Sequence, residues 1–184
     1  MNPRLRRLQA DYEEVRATFS GHAHVHVEPL GLQRPPDAYR VTFNLRGLEL
    51  QGSTPVPRQI HVVHVHLPRN YPSDKPHCVP ETPLFHPNVG EYFCIADQWS
   101  AGETIVDVIV KLGDMIQWRV YNPRSPLSSP AAEWALEQER RNPQLFPVGD
   151  VDLGVADFDL AISAGAGDDL VALRPGAEQE TPWS

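Results

Sequence analysis

The sequence predicts an α+β domain with an N-terminal helix, a four-stranded antiparallel meander, an irregular loop that carries a cysteine, and two C-terminal helices. Three observations support this order. Apolar residues recur at helical spacing before residue 20, alternate with polar residues between residues 22 and 79, and return to helical spacing after residue 100. Because strands joined by short connections pair in antiparallel order, the middle segment predicts a meander.

The first helix is predicted over residues 4–19, and Gly21 supplies a stop signal. Three arginines, Arg4, Arg6 and Arg7, lie off its apolar stripe. A basic face of this kind suits an acidic partner, and a solvated face is the simpler alternative. The stripe itself consists of Leu5, Leu8, Tyr12, Val15 and Phe19.

The four strands are predicted over residues 22–27, 38–50, 58–67 and 77–79. The second strand alternates most regularly, since its apolar side chains occupy every other position. Residues 68–76 contain three prolines, which is too many for a paired strand. We therefore expect this stretch to be a loop between the third and fourth strands.

Histidines on two of the strands raise the question of a metal site. His22, His24 and His26 share one face of the first strand, and His64 and His66 share one face of the third. Facing each other, they could bind Zn²⁺ or Cu²⁺. However, the sequence lacks a Cys-x-x-Cys or His-Glu-x-x-His motif, and histidine also fills the solvent face of half-exposed sheets. We therefore expect no metal site.

Two helices are predicted after the loop. Ser100 and Glu103 have the spacing of a capping box, so the first of these helices is predicted to begin at Glu103. It is predicted to end near Trp118. The second runs from Pro130 to Arg141, with the proline in a first-turn position where it is tolerated.

Charge divides the chain into two parts. Residues 150–184 contain eight of the 24 acidic residues and one of the 16 lysines and arginines, whereas the remainder is nearly neutral. This composition predicts a domain over residues 1–146 and an acidic, mostly flexible extension over residues 147–184. No basic stripe indicates a nucleic-acid partner. No apolar run approaches the ~18 residues of a membrane span, and two cysteines without a disulfide framework favour a cytoplasmic location.

Cys94 lies in an irregular segment, residues 84–100, between the strands and the later helices. Pro87 and Gly90 interrupt any regular structure there. A thiol on a loop over a rigid scaffold is placed to react. The alternative is a buried cysteine that acts as a small apolar residue.

Five short motifs, in order, resemble those of the E2 ubiquitin-conjugating enzyme family. The resemblance covers about residues 1–146 and implies the UBC fold. The motifs are the strand end and Tyr-Pro loop Leu67-Pro68-Arg69-Asn70-Tyr71-Pro72, the triplet His86-Pro87-Asn88, the catalytic-position Cys94, the pair Trp99-Ser100, and the loop Asn122-Pro123-Arg124-Ser125-Pro126-Leu127.

The resemblance implies a reaction through a thioester and needs no cofactor. Cys94 would accept a ubiquitin-like protein from an E1 enzyme and transfer it to an amine of a target, most simply a lysine. Asn88 would stabilise the oxyanion or brace the loop that does so. Ser125 would orient the amine, and Asp97 would help to deprotonate it. By the same resemblance, His86, Pro87 and Trp99 would support the active-site loop, and Arg4, Arg6 and Arg7 would contact the E1.

Departures from the family's pattern resemble the divergent bacterial E2-like branch, some of whose members serve antiphage defence. About two residues are missing between the His-Pro-Asn triplet and Cys94, and Ser73-Asp74 stands where an aromatic residue is common. The need for an E3 ligase is therefore left open. Two other functions also stay open: a non-catalytic binding module for ubiquitin-like proteins, and a cysteine hydrolase that pairs Cys94 with His86 or His77.

Overall fold

The computed structural model describes residues 2–95, 100–153 and 171–172. It contains three α-helices, a four-stranded sheet and a two-stranded sheet within these residues. The elements are α1 (Pro3–Phe19), β1 (Val25–Pro29), β2 (Ala38–Gln51), β3 (Thr54–His66), β4 (His77–Pro80), α2 (Ile105–Ile116), β5 (Val120–Tyr121), α3 (Ser129–Arg141), a 3₁₀ turn (Pro143–Leu145) and β6 (Val171–Ala172).

The predicted meander is confirmed, because β1, β2, β3 and β4 pair in that order and every pair is antiparallel. β3 begins at Thr54, four residues before the predicted start. Thr54 pairs with Gln51 across a two-residue turn that Gly52 enters with φ of 63°. The prolines of early β3 are tolerated because only Val63–His66 of that strand also pair with β4.

The first strand was predicted too early, at residue 22 instead of Val25. The His22 ring is the reason, because its Nδ1 accepts hydrogen bonds from the backbone N–H groups of His24 and Val25 at 3.1 and 3.2 Å. This side chain therefore closes a turn after α1, and Gly21 enters that turn with φ of 71°.

One face of the sheet packs against α1 and α2, and together they form the main core. The apolar stripe predicted for α1 supplies Leu8, Val15 and Phe19 to it. The other face is polar, and there His64 Nε2 lies 2.7 Å from a Glu81 carboxylate oxygen. In the part of the chain that the structure describes, no cluster of three or more potential metal ligands occurs.

The predicted start of α2 is wrong by two residues. The helix begins at Ile105, and Thr104 is its N-cap: the Thr104 hydroxyl accepts from Asp107 N, and the Asp107 carboxylate accepts from Thr104 N at 2.7 Å. Thr104 and Asp107 have the same spacing as Ser100 and Glu103, and the prediction placed the cap at the wrong pair. Ser100 instead accepts from Gly102 N in a turn, and Glu103 forms an ion pair with Lys111 at 3.2 Å.

Trp118 ends α2 and organises a second apolar cluster. Its φ of 59° is unusual for a bulky residue. It occupies the left-handed position of a Schellman motif, in which Trp118 N bonds Met115 O and Arg119 N bonds Asp114 O. Its buried indole ring stacks on Phe146 with centroids 5.3 Å apart and meets Trp134 edge-on. This cluster attaches α3 to the body of the domain.

Packing continues beyond the predicted domain boundary at residue 146. Val148 and Leu153 are buried, and the Gln117 side chain accepts from Val151 N and donates to Val151 O. Farther on, β6 pairs with β5. The other residues of the predicted extension, 154–170 and 173–184, lie outside the described residues. Among the helices that are described, none is long and apolar enough to cross a membrane.

Truncation of Leu153 tests whether this late segment belongs to the folded body. Because the side chain is 4% exposed and joins the main core, Leu153→Ala should lower the free energy of unfolding by about 2 kcal/mol. Urea denaturation measures the loss. Leu32→Ala, at a position 97% exposed, should change stability by less than ~0.5 kcal/mol. Equal stability of the two variants contradicts the packing described here.

Candidate active site

A short hairpin holds Cys94 in place. Val89 bridges Phe93, and Gly90 N bonds Tyr92 O at 3.1 Å. Phe93 N also bonds Cys78 O of β4 at 2.8 Å, which fastens the hairpin to the sheet. The backbone around the cysteine is therefore fixed by main-chain hydrogen bonds.

The two cysteines of the chain have opposite environments. Cys94 is partly exposed, although its neighbours Phe93 and Ile95 are buried. Cys78 is 1% exposed, and burial raises the pKa of its thiol to about 12. A thiol of that kind is inert. Of the two, Cys94 is therefore the one that a partner can reach.

Asn88 is buried and connects the hairpin to the loop after β5. Its Nδ2 donates to Asn122 O at 2.9 Å and to Ser125 O at 3.2 Å, while its Oδ1 accepts from Asn122 N at 2.6 Å. Its backbone carbonyl accepts from Cys94 N at 2.9 Å. Both amide hydrogens are thus committed to backbone carbonyls, so the side chain braces this loop and leaves no N–H directed at Cys94.

His86 is fully buried, and both of its ring nitrogens are hydrogen-bonded. Nδ1 accepts from Asn88 N at 3.1 Å, so Nε2 carries the proton and donates to Val120 O at 3.1 Å. Burial lowers the pKa of His86 to about 3. The imidazole is therefore neutral at physiological pH and has no free lone pair with which to take a proton from Cys94.

The loop over residues 122–128 lies beside the hairpin because several bonds attach it there. Pro87 O accepts from Leu127 N and Ser128 N at 2.7 and 3.0 Å. Asn88 holds the earlier part of the loop, as described above. Ser125 is exposed, and its backbone oxygen bonds the same asparagine whose carbonyl bonds Cys94. The structure thus brings three predicted site residues together: Cys94, Asn88 and Ser125.

The sequence that forms this site matches the model of a known protein family. The family model described as ubiquitin-conjugating enzyme matches residues 41–145. The chain belongs to the ubiquitin-conjugating enzyme family. The match extends from β2 to the 3₁₀ turn and includes Cys94, Asn88 and Ser125, and the helix, antiparallel sheet and two later helices have the arrangement of the UBC fold. A search of curated proteins finds no match to this chain.

The arginines of α1 were predicted to form a basic face for the E1, but two of the three are bonded within the domain. The Arg4 guanidinium donates to Leu67 O and Pro68 O at 3.3 Å and lies 3.5 Å from Asp37. Arg7 is also bonded within the domain, whereas Arg6 is exposed. The basic face predicted for E1 contact is therefore reduced, because two of the three side chains point inward. Asp97 and Trp99, two other predicted site residues, lie outside the described residues.

Trp118 supports the His-Pro-Asn triplet of this E2 family member, and the sequence analysis assigned it no role. Its ring meets the His86 ring edge-on, with centroids 5.0 Å apart. No local signal marks this contact, because Trp118 only ends a helix and the two residues are 32 positions apart.

Two buried histidines should make the domain sensitive to acid. Burial lowers the pKa of His86 to about 3 and that of His61 to about 4, whereas histidine in an unfolded chain titrates near ~6.5. Below about pH 6.5 the unfolded chain therefore binds protons that the folded chain does not, and stability is lost as pH falls towards 4. Each unit of pKa difference corresponds to about 1.4 kcal/mol.

The measurement is the unfolding free energy between pH 7 and pH 4. We expect the unfolding free energy of His61→Gln to fall less steeply with decreasing pH, because the substitution removes one histidine that binds a proton only in the unfolded chain. Leu32→Ala should keep the wild-type slope. If His61→Gln also keeps that slope, His61 does not titrate as described.

Proposed function

We propose that this chain is an E2-like conjugating enzyme that accepts a ubiquitin-like protein from an E1 as a Cys94 thioester and transfers it to an amine, in the simplest case a lysine, of a target. The observation that carries the proposal is the accessible Cys94, whose backbone is bonded to Asn88 of the His-Pro-Asn triplet. Family membership supports conjugating activity in general.

In the first step, the Cys94 thiolate attacks the carbonyl carbon of the E1 thioester. A carbon–sulfur bond forms to Cys94, the bond to the E1 sulfur breaks, and the E1 thiolate leaves. Attacking and leaving groups are similar thiols, so the exchange needs little activation. The His86 ring is neutral and both of its nitrogens are hydrogen-bonded to the backbone, so it offers Cys94 no general base. This is consistent with an exchange that needs little activation.

In the second step, an amine attacks the thioester carbonyl and a tetrahedral oxyanion forms before the Cys94 thiolate leaves. We propose that Asn88 contributes by holding the 122–125 loop, because its amide hydrogens already serve that loop. The exposed Ser125 hydroxyl would orient the amine. Two roles stay predictions: Asp97 deprotonates the amine, and Trp99 supports the loop.

The proposed partners are an E1-like enzyme, a ubiquitin-like protein and a target. Whether an E3 takes part is left open. Arg6 is the remaining candidate for E1 contact among the predicted arginines, because it is exposed. The shortened path from Asn88 to Cys94 supports assignment to a bacterial conjugation system of antiphage type. A cytoplasmic location stays a prediction. A hydrolase that pairs Cys94 with His86 is disfavoured, because both ring nitrogens of His86 are bonded to the backbone.

The decisive experiment combines the protein with ATP, an E1-like enzyme and a ubiquitin-like protein. We expect a covalent adduct that dithiothreitol removes, because a thiol cleaves a thioester. Cys94→Ala should abolish the adduct, Cys94→Ser should yield an ester that resists dithiothreitol, and the control Cys78→Ala should still form the thioester. An adduct that persists in Cys94→Ala, or its loss in Cys78→Ala alone, contradicts the proposal.

Asn88 and Ser125 should affect the second step differently. Removing the Asn88 side chain frees the 122–125 loop, so Asn88→Ala should slow discharge of the loaded thioester to free lysine by about 10²-fold, the size of effect that misplacement of groups at a reacting centre can have. Ser125→Ala keeps the backbone carbonyl that Asn88 binds and removes only the hydroxyl, so its effect should be smaller. Single-turnover discharge of preloaded protein measures both. Equal rates for wild type and Asn88→Ala are incompatible with the bracing role.

A further inference from the structure

Two local costs meet at Trp118, the residue that ends α2. Its φ of 59° lies in the left-handed region, at a helix-end position that glycine usually occupies. Its indole is fully buried, and within the described residues its Nε1–H has no hydrogen-bond partner. A buried donor without a partner loses its hydration and gains no bond in exchange. Costs of this kind persist only where the surrounding structure imposes them, and they cluster at functional sites.

The indole ring contacts both sides of the Asn88 junction, the set of hydrogen bonds that joins Asn88 to Asn122. On one side, the ring meets the His86 ring edge-on, with centroids 5.0 Å apart. On the other side, it packs against the Tyr121 ring, with centroids 5.4 Å apart, and Tyr121 directly precedes Asn122. One side chain therefore touches both the His-Pro-Asn triplet and the strand that leads into the loop.

From the His86 ring, hydrogen bonds lead directly to the backbone of Cys94. His86 Nδ1 accepts from Asn88 N at 3.1 Å, and Asn88 O accepts from Cys94 N at 2.9 Å. His86 Nε2 donates to Val120 O at 3.1 Å, which ties the same ring to β5. The orientation of this one ring therefore sets where the backbone of Asn88 lies, and Trp118 packs against it.

We propose that Trp118 is a positioning residue for acyl transfer: it holds the His86 ring and the start of the 122–125 loop in the arrangement that Asn88 joins. The inference rests on the function proposed above. It goes beyond the attachment of α3 to the domain, because the contact with His86 contributes nothing to that attachment. It also explains why this helix end carries a tryptophan where glycine would meet the backbone requirement alone.

Trp134 provides the matched control, because it belongs to the same second apolar cluster. Within the described residues its ring contacts those of Phe85, Trp118 and Phe146 but not that of His86. Loss of either indole should weaken the attachment of α3, whereas only loss of Trp118 should release the triplet.

Trp118→Leu removes the ring and keeps an apolar side chain. In single-turnover discharge of preloaded protein to free lysine, we expect the maximal rate to fall about tenfold, as lost geometry at a reacting centre can do. The half-saturating lysine concentration should not change. Trp134→Leu, at a temperature where both variants are folded, should keep the wild-type maximal rate, and Trp118→Phe should recover most of it by restoring a ring beside His86. Equal slowing in Trp118→Leu and Trp134→Leu means that only stability matters, and the inference is then wrong.

Trp118→Gly separates positioning from helix capping. Glycine suits the left-handed position better than tryptophan does, so a residue that only ended the helix could be replaced by glycine without slowing discharge. The positioning role instead predicts that Trp118→Gly is as slow as Trp118→Leu. A wild-type maximal rate in Trp118→Gly overturns the inference.

Hydrogen exchange at the backbone N–H of Asn88 provides a readout that needs no E1, ATP or ubiquitin-like protein. This N–H donates to His86 Nδ1. Trp118→Leu should therefore speed its exchange about tenfold or more, whereas Trp134→Leu should not. If Trp118→Leu does not fold, Trp118→Met, which fills more of the space without a ring, replaces it in each comparison.

Unchanged exchange at Asn88 after loss of the Trp118 ring contradicts the positioning role. If wild type forms no thioester while the exchange responds as expected, the proposed function alone fails.

Discussion

The carboxamide of Asn88 joins two parts of the chain that are 34 positions apart, and the geometry of the candidate site depends on this junction. Its donors and acceptor are all satisfied by the backbone of the loop after β5, and its own carbonyl receives the N–H of Cys94. A buried amide that lost these partners would carry a large desolvation cost. The cysteine and the loop that carries Ser125 are therefore held in one arrangement by main-chain hydrogen bonds around a single side chain.

Under the proposed mechanism, the surroundings of this junction favour a long-lived thioester over rapid hydrolysis. The nearest motif histidine is kept neutral by burial, and its hydrogen bonds support the backbone of Asn88 and Val120. A Cys-His pair would activate water as well as an amine. Without it, the acyl group can wait for a nucleophile that a partner delivers. This fits an enzyme whose substrates are other proteins.

The sequence was sufficient to predict the meander, the buried stripe of α1 and the motif that places Cys94, because alternation and spacing are local properties. The cap predicted at Ser100 was wrong, because Thr104 also has a suitable residue three positions later. In the structure Asp107 caps Thr104, and Arg7 of the distant first helix binds the carbonyl of Glu103 just before it. The inward direction of Arg4 and Arg7 depends likewise on acceptors distant in the chain, which no helical pattern reveals.

The brevity of the hairpin from Val89 to Phe93 has a consequence for how the protein selects its substrates. With one bridge, a tight turn and a bond to β4, this hairpin fixes the backbone that carries the sulfur. A catalyst with a stationary nucleophile cannot search for its substrate. Under the proposed mechanism, selectivity then resides in the surfaces that deliver the modifier's tail and the acceptor, and the same chemical centre could serve new targets whenever those surfaces diverge in evolution.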